Sequence, residues 1–219
     1  MLSRRGALKT GAIAGVGLWA APSILTLDRV EAAVGSCGLK PAQVTFSTWS
    51  GGLVPSTFTA LDGTVVTMSQ SDPSGVQDGY WRMRSFWGTI NGVANPAITG
   101  MSGANFGAGV TVTFTFSIPV QPSFFLVDID SGGGGGWEDT VQVTGSLAGS
   151  PVNPASLLTG ADSIQISPDT VRGINPSNTT AGNIEVDFQQ PIDTLTIFHY
   201  DVTNLTGFQW IGIHDFHWC

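Results

Sequence analysis

Residues 110–118, Val-Thr-Val-Thr-Phe-Thr-Phe-Ser-Ile, alternate apolar and polar almost without a break. Val110, Val112, Phe114, Phe116 and Ile118 fall on one side of an extended chain, with Thr111, Thr113, Thr115 and Ser117 on the other. A period of two built from β-branched and aromatic residues marks a half-buried strand. Pro119-Val-Gln-Pro122 predicts a turn, and Ser123–Asp130 a strand that is apolar on both faces until its end. The same pattern predicts strands at Gln43–Trp49, Thr64–Ser69, Asp139–Thr144, Asn183–Phe188, Thr194–Asp201 and Gln209–Trp218. Pro154–Leu158 reads as one short turn, and no window after residue 33 keeps a helical period.

Short strands split by Gly, Pro and Asn turns predict an all-β chain, a single antiparallel β-sandwich. Asp72–Gly79, Asn91–Gly109 and Asn175–Gly182 read as loops. No repeat of fixed period and no linker divides the chain after residue 33. Composition agrees with strands. Charged residues make up only 11%, Gly numbers 29 and Pro 12, and aromatics include seven Trp and twelve Phe. So few charges exclude a coiled coil or a disordered acidic tail. The net charge of −8, with no basic run, excludes a nucleic-acid partner, which needs clustered Lys and Arg.

The first residues stand apart. Ser3-Arg4-Arg5-Gly6-Ala7-Leu8-Lys9 precedes an apolar stretch from Gly11 to Leu25, followed by Asp28-Arg29-Val30-Glu31-Ala32-Ala33. Paired arginines, a Gly/Ala-rich apolar region and a small-residue cleavage site resemble a bacterial twin-arginine export signal. The resemblance implies a signal peptide at 1–33, cut after Ala32 or Ala33, and an exported domain at 34–219 in the periplasm, at the cell surface or outside the cell. The apolar stretch is shorter than the ~20 residues of a stable membrane span, so no span is expected in the mature form.

The two cysteines, Cys37 and Cys219, lie near the two ends of that domain. In an exported protein an even pair reads as a disulfide, here one that joins the domain's ends. Such a bridge fits a jelly-roll path, in which the first and last strands are neighbours. A lipid-attachment box at Val34-Gly35-Ser36-Cys37 is the competing reading, and Asp28, Arg29 and Glu31 speak against it.

Candidate chemistry gathers around a glycine run. Asp128 and Asp130 stand two apart on a predicted strand, which puts them on one face. Ser131 and Gly132–Gly136 follow, then Trp137, Glu138 and Asp139 return two more carboxylates to the same end. Converging acids call for a positive partner, and calcium, with its oxygen ligands, is the candidate ion for Asp128, Asp130, Glu138 and Asp139. Turn capping by the same acids is the plainer reading, and Lys40, Arg82, Arg84 and Arg172 are the available cations. His199, His214 and His217 read as ordinary strand histidines, since a regular final strand sends His214 and His217 to opposite faces. Trp137, Tyr80, Trp81 and Trp87 are beside turns, where exposed aromatic rings can stack on sugars; Trp49, Trp210 and Trp218 read as core.

The runs Phe116–Val120, Phe125–Asp130 and Glu138–Val143, with the closing Trp210–Phe216, are similar to strand pairs of secreted bacterial β-sandwich modules of cell-surface and lectin-like proteins. The resemblance implies a jelly-roll or lectin-like sandwich and transfers no activity. There is no Gly-x-Ser-x-Gly elbow, and the glycine run lacks the Lys-Ser/Thr of a phosphate loop, so neither a nucleophilic triad nor a nucleotide site is expected. The expectation is therefore a non-enzymatic binding or cell-surface module, with calcium-dependent carbohydrate binding as its sharper form. Self-association as a structural surface protein is the alternative, and a carbohydrate-active enzyme on a jelly-roll scaffold the third reading.

Overall fold

The computed structural model describes residues 34–35, 38–46, 52–53, 55–71, 82–83, 89–90, 93–94, 98–100, 109–132, 136–176, 180–203 and 211–219. The chain divides into Met1–Val30 and Glu31–Cys219, and every described residue belongs to the second unit. No described helix is long and apolar enough to cross a membrane.

Two large antiparallel sheets make up most of the described fold, beside two-stranded pairs of Val34–Gly35 with Gly38–Leu39 and of Thr89–Ile90 with Val93–Ala94. The eight-stranded sheet runs, edge to edge, through Ser163–Ser167, Thr170–Gly173, Asp139–Leu147, Ile192–Asp201, Gly109–Val120, Val65–Ser71 and Thr57–Thr59, with Ser150–Val152 paired to Asp139–Leu147. The nine-stranded sheet runs through Ser156–Thr159, Ile184–Asp187, Ser123–Val127, Ile211–Ile213, Ile98–Gly100, Arg82–Met83 and Gly52–Leu53. Phe216–His217 joins Ser123–Val127 to Ala42–Val44 in that sheet.

Nested pairing identifies the path. Gly109–Val120 pairs with Ile192–Asp201, Ser123–Val127 with Ile184–Asp187, and Asp139–Leu147 with Thr170–Gly173. Each step along these strands crosses between the sheets on the way out and again on the way back. A long hairpin folded over in this way is a jelly roll.

Between the sheets lies an apolar core whose members alternate along each strand, as the pleat requires. Val110, Val112, Phe114 and Phe116 are buried from one sheet, and Phe124 and Leu126 from the other. Phe216 brings the closing strand into the middle of this core. Its ring meets Phe114 at 5.0 Å, Phe124 at 5.1 Å and Phe46 at 5.3 Å, all edge-on. Trp218 is fully buried, and its indole N–H donates to Asp62 Oδ2 at 2.7 Å. Phe216 pairs with Val44 and His217 with Ala42, so the first and last parts of the domain are neighbours.

Several expectations give way. Ile118 is 53% exposed: the pairing of its strand is irregular between Thr115 and Val120, and Ser117, Ile118 and Pro119 are all exposed before Val120 returns to the core. Pro154–Leu158 is not a turn: Ser156–Thr159 is an edge strand paired with Ile184–Asp187. The strand expected at Ser123–Asp130 ends at Val127, where Asp128 takes a left-handed φ of 68°, a conformation that aspartate tolerates better than most residues. The faces of Asp128 and Asp130 are therefore not those of a regular strand. The closing strand is broken at His214–Asp215, so its histidines do not alternate regularly either.

Candidate functional site

Beyond Asp128 the chain forms a narrow ladder. Asp139 N–H donates to Asp130 O at 3.0 Å and Gly132 N–H to Trp137 O at 2.9 Å, and Ser131 bridges Glu138. Asp130 lies against Gly173 so closely that a Cβ there would sit 2.1 Å from the Asp130 carbonyl oxygen. Only glycine permits that approach.

The acids of this hairpin each meet a protein partner. Glu138 Oε1 is 3.5 Å from Arg172 Nε. Asp130 Oδ1 accepts the Trp137 indole N–H at 3.3 Å. Asp139 turns into the core, where its Oδ1 is 2.8 Å from His199 Nε2 and its Oδ2 accepts the Asp130 N–H at 3.2 Å. Asp128 is half-buried at the turn. Among the described residues no group of three or more His, Cys, Asp or Glu side chains is arranged to hold a metal ion. Trp137 is half-buried rather than held out at a loop tip, its ring lying over Gly132 so tightly that a Cβ there would be 2.4 Å from it.

Asp139 and His199 belong to a polar end of the core. Along Ile192–Asp201 the inward row reads Leu195, Ile197, His199, Asp201, all with no exposure. Asp139 pairs with Asp201 and Val141 with His199, so the four share the inner face. Burial holds His199 neutral, its pKa lowered to about 3 despite the pull of Asp201. Burial, reinforced by the charges of Asp130 and Asp201, pushes Asp139 well above the usual carboxylate range. Both shifts favour the uncharged forms of Asp139 and His199. Asp201 Oδ1 accepts from the backbone and hydroxyl of Thr203, each at 2.7 Å. His199 Nδ1 and Asp201 Oδ2 find no partner among the described residues. Asp139, His199 and Asp201 are all closed off from solvent.

The opposite face of the same strand carries different chemistry. Thr194, Thr196, Phe198 and Tyr200 alternate with the inward row and are half-buried on the outer face. Phe198 and Tyr200 stack with ring centroids 4.8 Å apart and planes within 17°. A Cβ on Gly109 would lie 2.6 Å from the Phe198 ring, so glycine there makes room for it. Phe198 pairs with Gln142, and Tyr200 with Thr140, which in turn pairs with Arg172. Gln142 Nε2 donates to Asp169 Oδ2 at 2.8 Å. Burial pushes Asp169 up, but hydrogen bonds from Ser167, Gln142 and Thr170 outweigh it and leave the carboxyl below its ordinary range. Burial, followed by the Asp169 charge, raises the Tyr200 phenol, which keeps its proton as a donor.

Hydroxyls continue this outer face in register across the sheet. One row is Thr57, Thr67, Thr115, Thr194 and Ser146; the next is Ser69, Thr113, Thr196 and Thr144. Neither row contains a charged side chain. The face thus pairs an aromatic stack and polar hydrogen-bonding groups with a broad neutral field, suited to a neutral, hydroxyl-rich ligand. Tyr80, Trp81, Trp87 and Cys37 lie outside the described residues, as do Trp49, Trp210 and Arg84. Cys219 follows Trp218, whose N–H donates to Pro41 O at 3.3 Å, so the chain's last residues adjoin the segment just after Cys37.

No protein-family model, no curated protein and no solved structure matches this chain.

Proposed function

We propose that the chain is an exported, non-enzymatic β-sandwich module that binds carbohydrate on the outer face of its eight-stranded sheet. The observation that carries this reading is the Phe198–Tyr200 stack beside Gln142, Asp169 and Arg172. Sugar rings present C–H faces to aromatic side chains and hydroxyls to amides, carboxylates and guanidinium groups. Enclosure of the Asp139–His199 pair supports a binding role over a catalytic one. Residues 1–33 act in this account as the twin-arginine export signal of the domain 34–219, and Cys37 and Cys219 as its terminal disulfide. The test is a glycan array probed with the mature domain. Binding to a defined set of polysaccharides supports the reading, and a blank array from folded protein removes it.

Self-association is the second reading, and it has its own observation. Ser156–Thr159 and Ser163–Ser167 are each the outermost strand of their sheet on this side. Between them they expose Leu158 at 56%, Ile166 at 48% and Ile164 at 37%. Open edges with apolar side chains favour strand-to-strand pairing. Light scattering decides: a mass that rises with concentration and falls back in Ile164→Lys supports self-association, and a strict monomer excludes it.

A further inference from the structure

Lysine is almost never fully buried, because stripping water from an ammonium group is costly unless the charge finds a partner. This chain has two lysines, Lys9 and Lys40, and Lys40 is 1% exposed. Its Nζ lies 2.5 Å from Asp187 Oδ1 and 3.0 Å from the Phe188 carbonyl oxygen. Asp187 is itself 5% exposed. The two residues are 147 positions apart: one precedes the strand Ala42–Val44 and the other ends the strand Ile184–Asp187.

We infer that Lys40 and Asp187 condense to an intramolecular isopeptide bond. Attack requires the ammonium to pass a proton to the carboxylate it touches, a transfer that the buried contact brings within reach and that sets a free amine against a carboxylic acid. Nζ attacks Cγ, the N–Cγ bond forms, and the Cγ=O π-electrons pass to oxygen. The nitrogen then gives up a proton, and the hydroxyl on Cγ takes one and departs as water. One amide forms and one water leaves; no oxidant, nucleotide or metal is needed. Fixing amine and carbonyl in contact replaces an encounter in solution, an effect worth on the order of 10⁵–10⁸ M in effective concentration.

The proton needs a carrier between nitrogen and leaving oxygen. Glu185 stands two residues before Asp187 on the same strand, hence on the same face. Burial, and then the charge of Asp187, raises its carboxyl above the ordinary range although Lys40 pulls the other way. It is the positioned acid for this step. The bond would tie the start of the domain to an inner strand of the jelly roll, independently of what the outer face binds.

Peptide mapping of the full chain by mass spectrometry, after reduction of disulfides, tests this directly. The expected result is one branched species containing Lys40 and Asp187, lighter by one water than its two component peptides. The species should vanish in Lys40→Arg. In Glu185→Gln it should form more slowly while the protein stays folded by circular dichroism, and Glu185→Asp should restore part of the rate. Recovery of the two peptides separately and at full mass from folded wild-type protein overturns the inference. Unchanged cross-linking in Glu185→Gln overturns the role given to Glu185.

Discussion

Asp139 Oδ1 and His199 Nε2 lie 2.8 Å apart, and neither side chain reaches solvent. Lowering of the His199 pKa to about 3 adds stability that grows as pH rises from there toward 6.5, and raising of the Asp139 pKa removes stability as pH rises above 3.8. The two effects oppose each other between 3.8 and 6.5, so the pair contributes a flattened pH dependence there. Chemical denaturation from pH 4 to 9 measures it. Asp139→Asn removes the opposing contribution and should leave stability rising with pH up to about 6.5.

Glycine 173 is required by contact, Gly149 only by backbone conformation. A Cβ on Gly173 would collide with the Asp130 backbone at 2.1 Å, whereas Gly149 has a φ of +79° and open space around it. Gly173→Ala should cost at least the ~1–3 kcal/mol of an overpacked site. Gly149→Ala should cost about 1 kcal/mol, the strain of a left-handed alanine. Urea melts of the two variants give the order. Equal losses would mean that Asp130 moves aside freely.

Calcium should leave the melting temperature unchanged. Glu138 faces Arg172, Asp130 accepts from Trp137, and Asp139 contacts His199, so binding an ion would first break these contacts. A saturable rise in melting temperature with millimolar calcium would show that the acids turn to ligate it, since a ligand of the folded state stabilises that state.

On the proposed Cys37–Cys219 bridge, reduction should destabilise the domain 34–219. The bridge would close a loop of nearly the whole domain, and losing such a disulfide costs about 2–5 kcal/mol. Thermal melts with and without reductant test it, with Cys219→Ser as the control that should no longer respond.

Much of this architecture can be read from residue pattern, and the exceptions have physical causes. The strand around Phe114 declares itself because one face is core and the other is not, which makes its alternation clean. The hairpin Ser163–Ser167 with Thr170–Gly173 gives no such signal: Ile164, Gln165 and Ile166 are all exposed on an edge, so no burial disciplines the pattern. At the candidate site His199 and Asp201 share a face by spacing alone, but Asp139 joins them through register, which only pairing sets. Phe198 and Tyr200 occupy the other phase of that same alternation. Their signal is present in the sequence but is quieter than the tryptophans near turns, which drew the expectation elsewhere. Asp128 hides a strand end because a left-handed φ leaves no mark on an otherwise apolar run.

The outer face is best tested by a binding isotherm. The mature domain is titrated with the polysaccharide that the glycan array selects, alongside Phe198→Ala, Tyr200→Ala and the inward control Asp139→Asn. Loss of one stacking ring should weaken binding at least tenfold while the control binds like wild type. Isotherms for all three variants that overlay the wild type would contradict the account.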